Sequence, residues 1–292
     1  MRKFSVSSGS RKLNALETGA SRGIPVFFLH PAPGSRVMYK PQVDNANNTG
    51  VRLISYSRPG YGGSEREEGR NISGAAEDVL AIADDLGIER FGVIGYAEGA
   101  PHALSCAARE PERVVAISAI SGYAPFNAEG FDFFAGMGDY ATKDFNMLLN
   151  KDQKWEESNL QAVETLRQST RDRLVQLIGS MYSEADAKAV SDDLVDFMID
   201  SVLDGCSEGI DGVREDRLAL TRLWGFDVGS IRVPTQIWHG EQDTVVPIQH
   251  SQWLASEIPG AEVHLEGDEG HLSTFVNNIN DVQQWIRSEF EK

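Results

Sequence analysis

Cysteine is almost missing from this 292-residue chain, which has only Cys106 and Cys206. Two thiols cannot staple a small secreted fold together, so a disulfide framework is excluded. Cys106 lies in an apolar helical stretch and reads as a small core residue, not a reactive thiol. Long apolar runs are missing too, so no segment is expected to span a bilayer. The stretch MRKFSVSSGSRKLNALETG at the N-terminus alternates instead of presenting the apolar core of a secretion signal. A cytoplasmic setting is the expectation. Positive charge is in short supply: 27 Lys and Arg face 44 Asp and Glu, leaving a net charge of −17. Such a surface repels phosphate backbones and anionic lipid, which argues against nucleic-acid or membrane partners and for simple solubility. His250 and His264 lack metal-ligand spacing, and neither a metal nor a cofactor is expected.

Hydrophobic residues make up 41% of the chain, ample for a substantial core. Residues 4–19 read as a hairpin of two alternating strands about a Ser-Gly-Ser turn. IPVFFLH (24–30), VRLISYS (51–57), RFGVIGY (90–96) and RVVAISAIS (113–121) are apolar runs, as expected of strands covered on both faces. Between them, residues 72–88 space Ala76, Val79, Leu80, Ile82, Ala83 and Leu86 as a helix does, and APHALSCAARE (100–110) is a second helix. This alternation implies a parallel sheet with right-handed crossovers. From about residue 124 to 229 the pattern turns helical and polar. The sheet resumes with VPTQIWHG (233–240) and AEVHLEG (261–267), and residues 277–292 close the chain as a helix. The predicted fold class is α/β, a mostly parallel sheet with helices on both faces. Residues 1–123 and 230–292 form its core, and 124–229 an inserted helical cap.

In an open parallel sheet, ligands bind outside the carboxyl ends of the strands. Five unusual segments fall there: HPAPGSR (30–36), SRPGYGGS (57–64), GYAEGAP (95–101), HGEQDTVVP (239–247) and DEGHLS (268–273). In this order they resemble the α/β-hydrolase fold superfamily, and within it the small lidded serine hydrolases of esterase or lactonase type. That family carries a nucleophile elbow, Gly-x-Ser-x-Gly, and a chain order of nucleophile, acid, histidine. By position, the resemblance assigns Ala97 to the nucleophile, Asp243 to the acid and His271 to the histidine. It assigns the oxyanion hole to the backbone N–H groups of Ala32 and Glu98. Pro31 replaces the family's usual glycine in the first loop, and Ser57 its usual aspartate before Arg-Pro-Gly.

The elbow forces its central residue into a strained backbone, so Gly95 and Gly99 read as steric requirements. A serine at the centre would give its proton to His271, which Asp243 would hold in the correct tautomer. Alanine has no oxygen to acylate, and losing a triad nucleophile typically costs on the order of a millionfold in turnover. The activity implied by the resemblance is hydrolysis of a carboxylic ester or lactone of a small-to-medium organic molecule through an acyl-enzyme. Carbon–carbon bond hydrolysis stays open, because the same triad supports it. Three explanations of Ala97 compete. A serine has been removed, leaving an inactive variant; or the chain is a natural non-hydrolytic His–Asp enzyme of lyase or cofactor-free oxygenase type; or it is a ligand-binding pseudo-hydrolase or receptor. The surviving histidine, acid, glycines and loops favour the first.

The plainer readings cover the rest. His102 reads as a satisfied core residue, and His30 and His239 as supports for their loops. GYGGSE lacks the third glycine of a dinucleotide loop, with Glu65 standing there instead. Most aromatics of residues 124–229 are expected to pack the cap onto the sheet, with a few lining an apolar pocket.

Overall fold

The computed structural model describes residues 1–292, the side chain of Ser180 apart. β1 (Arg2–Ser8) and β2 (Arg11–Gly19) pair antiparallel as the expected hairpin. Gly9 turns it with a φ of +59°, a left-handed conformation open to glycine at no steric cost. The remaining strands are β3 (Ile24–Leu29), β4 (Val51–Tyr56), β5 (Phe91–Tyr96), β6 (Val114–Ile120), β7 (Thr235–Gly240) and β8 (Glu262–Glu266). The sheet order is β1-β2-β4-β3-β5-β6-β7-β8. β2 joins β4 antiparallel, and every neighbouring pair from β4 onward in that order is parallel.

Between the strands run α1 (Lys40–Thr49), α2 (Gly74–Asp85) and α3 (Gly99–Arg109). Six helices lie between β6 and β7: α4 (Asp139–Leu149), α5 (Lys154–Gln168), α6 (Arg171–Met181), α7 (Glu184–Ala189), α8 (Asp192–Gly205) and α9 (Asp211–Thr221). α10 (Gln249–Glu257) and α11 (His271–Phe290) follow. Neighbouring strand residues point to opposite faces. Phe27, Leu29, Phe91 and Val93 therefore enter one buried cluster with Val79 of α2 and Leu104 of α3. Val26, Phe28, Ile94 and Tyr96 enter the other with Phe275, Ile279, Val282 and Ile286 of α11. Full burial of one such aliphatic or aromatic side chain contributes roughly 1.5–3 kcal/mol.

Two helices carry no sequence signal. α1, KPQVDNANNT, buries only Gln42 and Ala46, and α10 buries only His250, Ser251 and Leu254; neither has the apolar stripe that marks a helix face. α11 also starts at His271, well before the helical pattern at residue 277, for a reason found at the site.

Three of the inserted helices have conventional starts. Thr170, Ser183 and Ser191 cap α6, α7 and α8, their side-chain oxygens accepting from the N–H groups of Arg173, Asp186 and Leu194. The segment shares the core of the sheet: Phe133, Phe145 and Leu220 join the cluster of α2 and α3, and Ile178, Leu194 and Phe197 that of α11. Much of its aromatic content packs on itself, as in the edge contacts of Phe133 with Phe134 and with Phe145. Among the described residues, no helix is long and apolar enough to cross a membrane.

Candidate active site

β5 ends at Tyr96 and α3 begins at Gly99, leaving Ala97 and Glu98 to make the turn. Ala97 has a φ of +50°, a left-handed conformation that costs a residue with a Cβ and persists only where its surroundings enforce it. A Cβ on Gly95 would stand 2.4 Å from the carbonyl oxygen of Gly99, and one on Gly99 would stand 2.0 Å from that of Leu29. Both glycines are needed because backbone passes within contact distance of their α-carbons. The result is a sharp strand–turn–helix with residue 97 at its apex.

Two distant loops meet beside this apex. Asp243, after β7, accepts a hydrogen bond from Nδ1 of His271 at 2.7 Å. Its other oxygen accepts from the N–H groups of Val245 and Val246, each at 2.8 Å, which holds the carboxylate in a tight turn. His239 Nε2 lies 3.3 Å from the same Asp243 oxygen that His271 uses. Burial pushes the Asp243 carboxyl up, and the two imidazoles more than offset it, holding it below the usual carboxylate range. Burial pushes the His271 imidazolium down, and Asp243, with smaller help from Asp186 and Glu98, raises it above the ordinary histidine value. With Nδ1–H held by Asp243, Nε2 is the nitrogen left to take a proton. Tyr96, next to Ala97, donates its hydroxyl hydrogen to the carbonyl of His271 at 3.2 Å, tying the histidine to the elbow strand.

Asp186, on α7, supports this arrangement and was invisible to motif reading. Its carboxylate accepts from the N–H groups of His271 at 3.0 Å, Leu272 at 2.8 Å and Ser273 at 2.9 Å, and from the Ser273 hydroxyl at 3.0 Å. These are donors that the first turn of a helix leaves without intrahelical partners. A carboxylate from the inserted segment therefore starts α11 at the histidine itself, which accounts for the early helix boundary. The only sequence signal is Ser183-x-x-Asp186, which marks a helix start but gives no hint of a reach to residue 271.

The structure places the two assigned oxyanion residues against each other. Glu98 Oε2 accepts from the N–H of Ala32 at 2.8 Å, so the Ala32 donor is already engaged, by the side chain of the residue whose backbone was assigned beside it. Glu98 Oε1 is ion-paired with Arg217 of α9. Arg217 Nε in turn donates to Asp144 of α4 at 3.0 Å. Position 98 thus contributes a buried carboxylate.

The neighbouring α9 residue, Asp216, is the hub of a second buried network. It accepts from Arg58 Nη2 at 2.6 Å and from the Tyr61 hydroxyl at 2.8 Å, and it pairs with Arg70. Arg58 Nη1 donates to the carbonyl of His30, at the base of the Ala32 loop. Burial pushes the Asp216 carboxyl up, but Arg58 and Arg70 hold it well below its ordinary range. His30 and His102 are buried and neutral: burial lowers His30 well below its ordinary value and His102 to about 4. His239 hydrogen-bonds Ser251 at 2.6 Å and the Val246 carbonyl at 2.7 Å, so it supports the Asp243 loop directly. His250 accepts from the N–H of Ala124 and donates to the carbonyl of Phe133, and burial lowers it to about 3. Among the described residues, no group of three or more His, Cys, Asp or Glu has metal-binding geometry.

The centre is closed to solvent. Ala97 is 2% exposed, Glu98 3%, and Asp243 and His271 5% each. Tyr182, at the end of α6, stacks over His271 at a ring separation of 6.4 Å.

The family model for the alpha/beta hydrolase fold matches residues 24–278. The chain belongs to this family. As a member it shares 26% identity over 255 residues with the AB hydrolase superfamily protein YisY of Bacillus subtilis, covering 85% of each chain. Its fold is that of an esterase from Exiguobacterium antarcticum, with a TM-score of 0.70 at 18% identity, covering 99% of this chain and 98% of the esterase. It is equally that of an enol-lactonase from Burkholderia xenovorans, with a TM-score of 0.67 at 18% identity over all of both chains. At such identities the two structures speak for the α/β-hydrolase fold alone.

Proposed function

We propose that this family member recognises a carboxylic ester or lactone of a small-to-medium organic molecule, and that residues 124–229 act as the lid over it. Ala97 stands at the nucleophile position, Asp243 and His271 are the acid and base, and the N–H groups of Ala32 and Glu98 are the oxyanion donors. The observation that carries this reading is the buried 2.7 Å His271–Asp243 hydrogen bond, held next to a left-handed elbow. Esterase and lactonase activities among its structural neighbours agree with it, and the composition fits a cytoplasmic enzyme.

The chemistry follows from the atoms. With serine at 97, Nε2 of His271 would take the hydroxyl proton as the oxygen attacked the acyl carbon. The carbonyl electron pair would move onto its oxygen, and His271 would then protonate the leaving alkoxide. Water, deprotonated by the same nitrogen, would release the acid. With alanine the first bond cannot form, so the chain binds substrate without forming an acyl-enzyme.

A second reading, a His–Asp base acting without a covalent step, is favoured by one observation: a carboxylate occupies the Ala32 donor. The experiment separates them. Ala97→Ser is expected to react stoichiometrically with a fluorophosphonate and to hydrolyse an aryl ester measurably, while the parent chain does neither. An inert Ala97→Ser protein, with a parent that turns over some other compound, would replace the first reading by the second.

A further inference from the structure

The Glu98 side chain is held from several sides. Its carboxylate is 4% exposed and bridges the Ala32 N–H to the guanidinium of Arg217. Arg217 is fixed in turn: Nε donates to Asp144 Oδ2 at 3.0 Å, and the guanidinium lies over the Phe145 ring at 5.0 Å. The other Asp144 oxygen accepts from Trp155 Nε1 at 2.8 Å and Asn159 Nδ2 at 3.1 Å. A chain of partly buried polar contacts therefore runs from the first core loop through the elbow to α9, α4 and α5. A rotamer fixed at both ends in this way is part of the structure of the site.

We infer that the Glu98 carboxylate is the specificity-determining group of this site: it occupies the oxyanion position, so that an acyl oxygen must displace it and anionic ligands are rejected. This rests on the ester or lactone reading above. Acyl transfer builds negative charge on the substrate oxygen, and the donors that meet it are what the reaction most depends on. Here one donor already faces a negative oxygen, and like charges in a water-poor site repel strongly. A neutral ester or lactone enters when Glu98 swings off Ala32 while keeping Arg217. A carboxylate or phosphonate would need the same N–H against an adjacent charge that stays nearby. The Ala32 N–H and Arg217 together form a cradle for one carboxylate, and the chain supplies its own.

Two measurements test this. First, Ala97→Ser is compared with Ala97→Ser/Glu98→Ala for hydrolysis of a neutral aryl acetate and for the rate of fluorophosphonate labelling. Removing or blocking one oxyanion donor typically costs about 100- to 1,000-fold in kcat. The double variant is expected to be faster by about that factor, chiefly in kcat and not in KM. Equal rates in the two proteins overturn the inference. Second, benzoate binding is measured calorimetrically on the parent and on Glu98→Ala, neither of which needs a nucleophile. The variant is expected to bind benzoate at least about tenfold more tightly, because the emptied cradle matches a carboxylate. Equal affinity overturns the inference. If both serine proteins are inert, the acyl-transfer reading falls, and the benzoate comparison alone decides the role of Glu98. Should loss of the Arg217 partner unfold Glu98→Ala, as circular dichroism would show, both measurements are made with Glu98→Ala/Arg217→Met, and benzoate then tests the Ala32 donor alone.

Discussion

The sheet and the helices inserted after β6 bring different materials to the same place. From the strand ends come short loops with glycines at fixed spacing, and they hold Ala97, Asp243 and the Ala32 N–H by backbone geometry. From the inserted helices come three charged side chains set on the loops of the sheet, Asp186 and Asp216 fully buried and Arg217 partly so. Asp186 sets the start of α11, Asp216 neutralises Arg58 beneath the Ala32 loop, and Arg217 fixes Glu98. The inserted segment is therefore more than an apolar cover. It supplies the counter-charges on which the core loops rest.

The sharpest way to break this contrast is to remove one group of each kind. In the Ala97→Ser/Glu98→Ala background, Asp243→Asn should lower kcat by about 10,000-fold, because the amide favours the wrong tautomer of His271 and cannot stabilise the imidazolium. Esterase assays at saturating substrate would measure it. A loss below about tenfold would mean that the acid is supplied elsewhere, and that the core loops are not the catalytic half.

The corresponding change on the inserted side acts on stability. Asp216→Ala leaves Arg58 and Arg70 buried without their shared carboxylate. Breaking a buried ion pair by deleting one partner typically costs about 3–5 kcal/mol. Urea unfolding should show a loss of that size. A loss under about 1 kcal/mol would show that the Arg58 guanidinium finds water or another partner, and that α9 is an accessory to the core.

The same division explains what was legible in the sequence. The hairpin, the parallel strands, α2, α3 and the five loop motifs could be read because each depends on residues close together in the chain. Apolar alternation, glycine spacing and turn residues are local properties. The contact of Glu98 with Ala32 could not be read, because it is enforced by Arg217 across 119 positions of sequence. The resemblance places the backbone of residue 98 in an oxyanion hole; it says nothing about where the side chain goes. Asp186 was hidden for the same reason. In the sequence it is one acidic residue among many in a polar segment, and only tertiary packing brings it to His271. α1 was missed on different grounds, since a helix that buries an amide and an alanine leaves no stripe to see.

The finest comparison sets charge against shape at a single position. Asp186→Asn keeps the size of the side chain and one oxygen to accept from the first turn of α11, but it removes the charge. The groups facing His271 are then Asp243 at Nδ1, Glu98 at the elbow, and the rings of Tyr96 and Tyr182. With Asp186 neutral, one cause of the raised His271 pKa is gone, so the imidazole should titrate at a lower pH. A group whose folded pKa is raised stabilises the protein fully below its unfolded value of about 6.5, and this contribution fades as pH rises through the folded value. The destabilisation by Asp186→Asn should therefore be larger at about pH 5.5 than at about pH 9. At the higher pH only the weakened helix cap remains, a loss of about 0.5–2 kcal/mol. Proton NMR of the His271 ring would follow the titration, and denaturant unfolding at the two pH values the stability. If the ring titrates unchanged and the loss is the same at both, Asp186 acts by shape alone. The inserted helices would then merely hold α11 in place, without setting the charge state of its histidine.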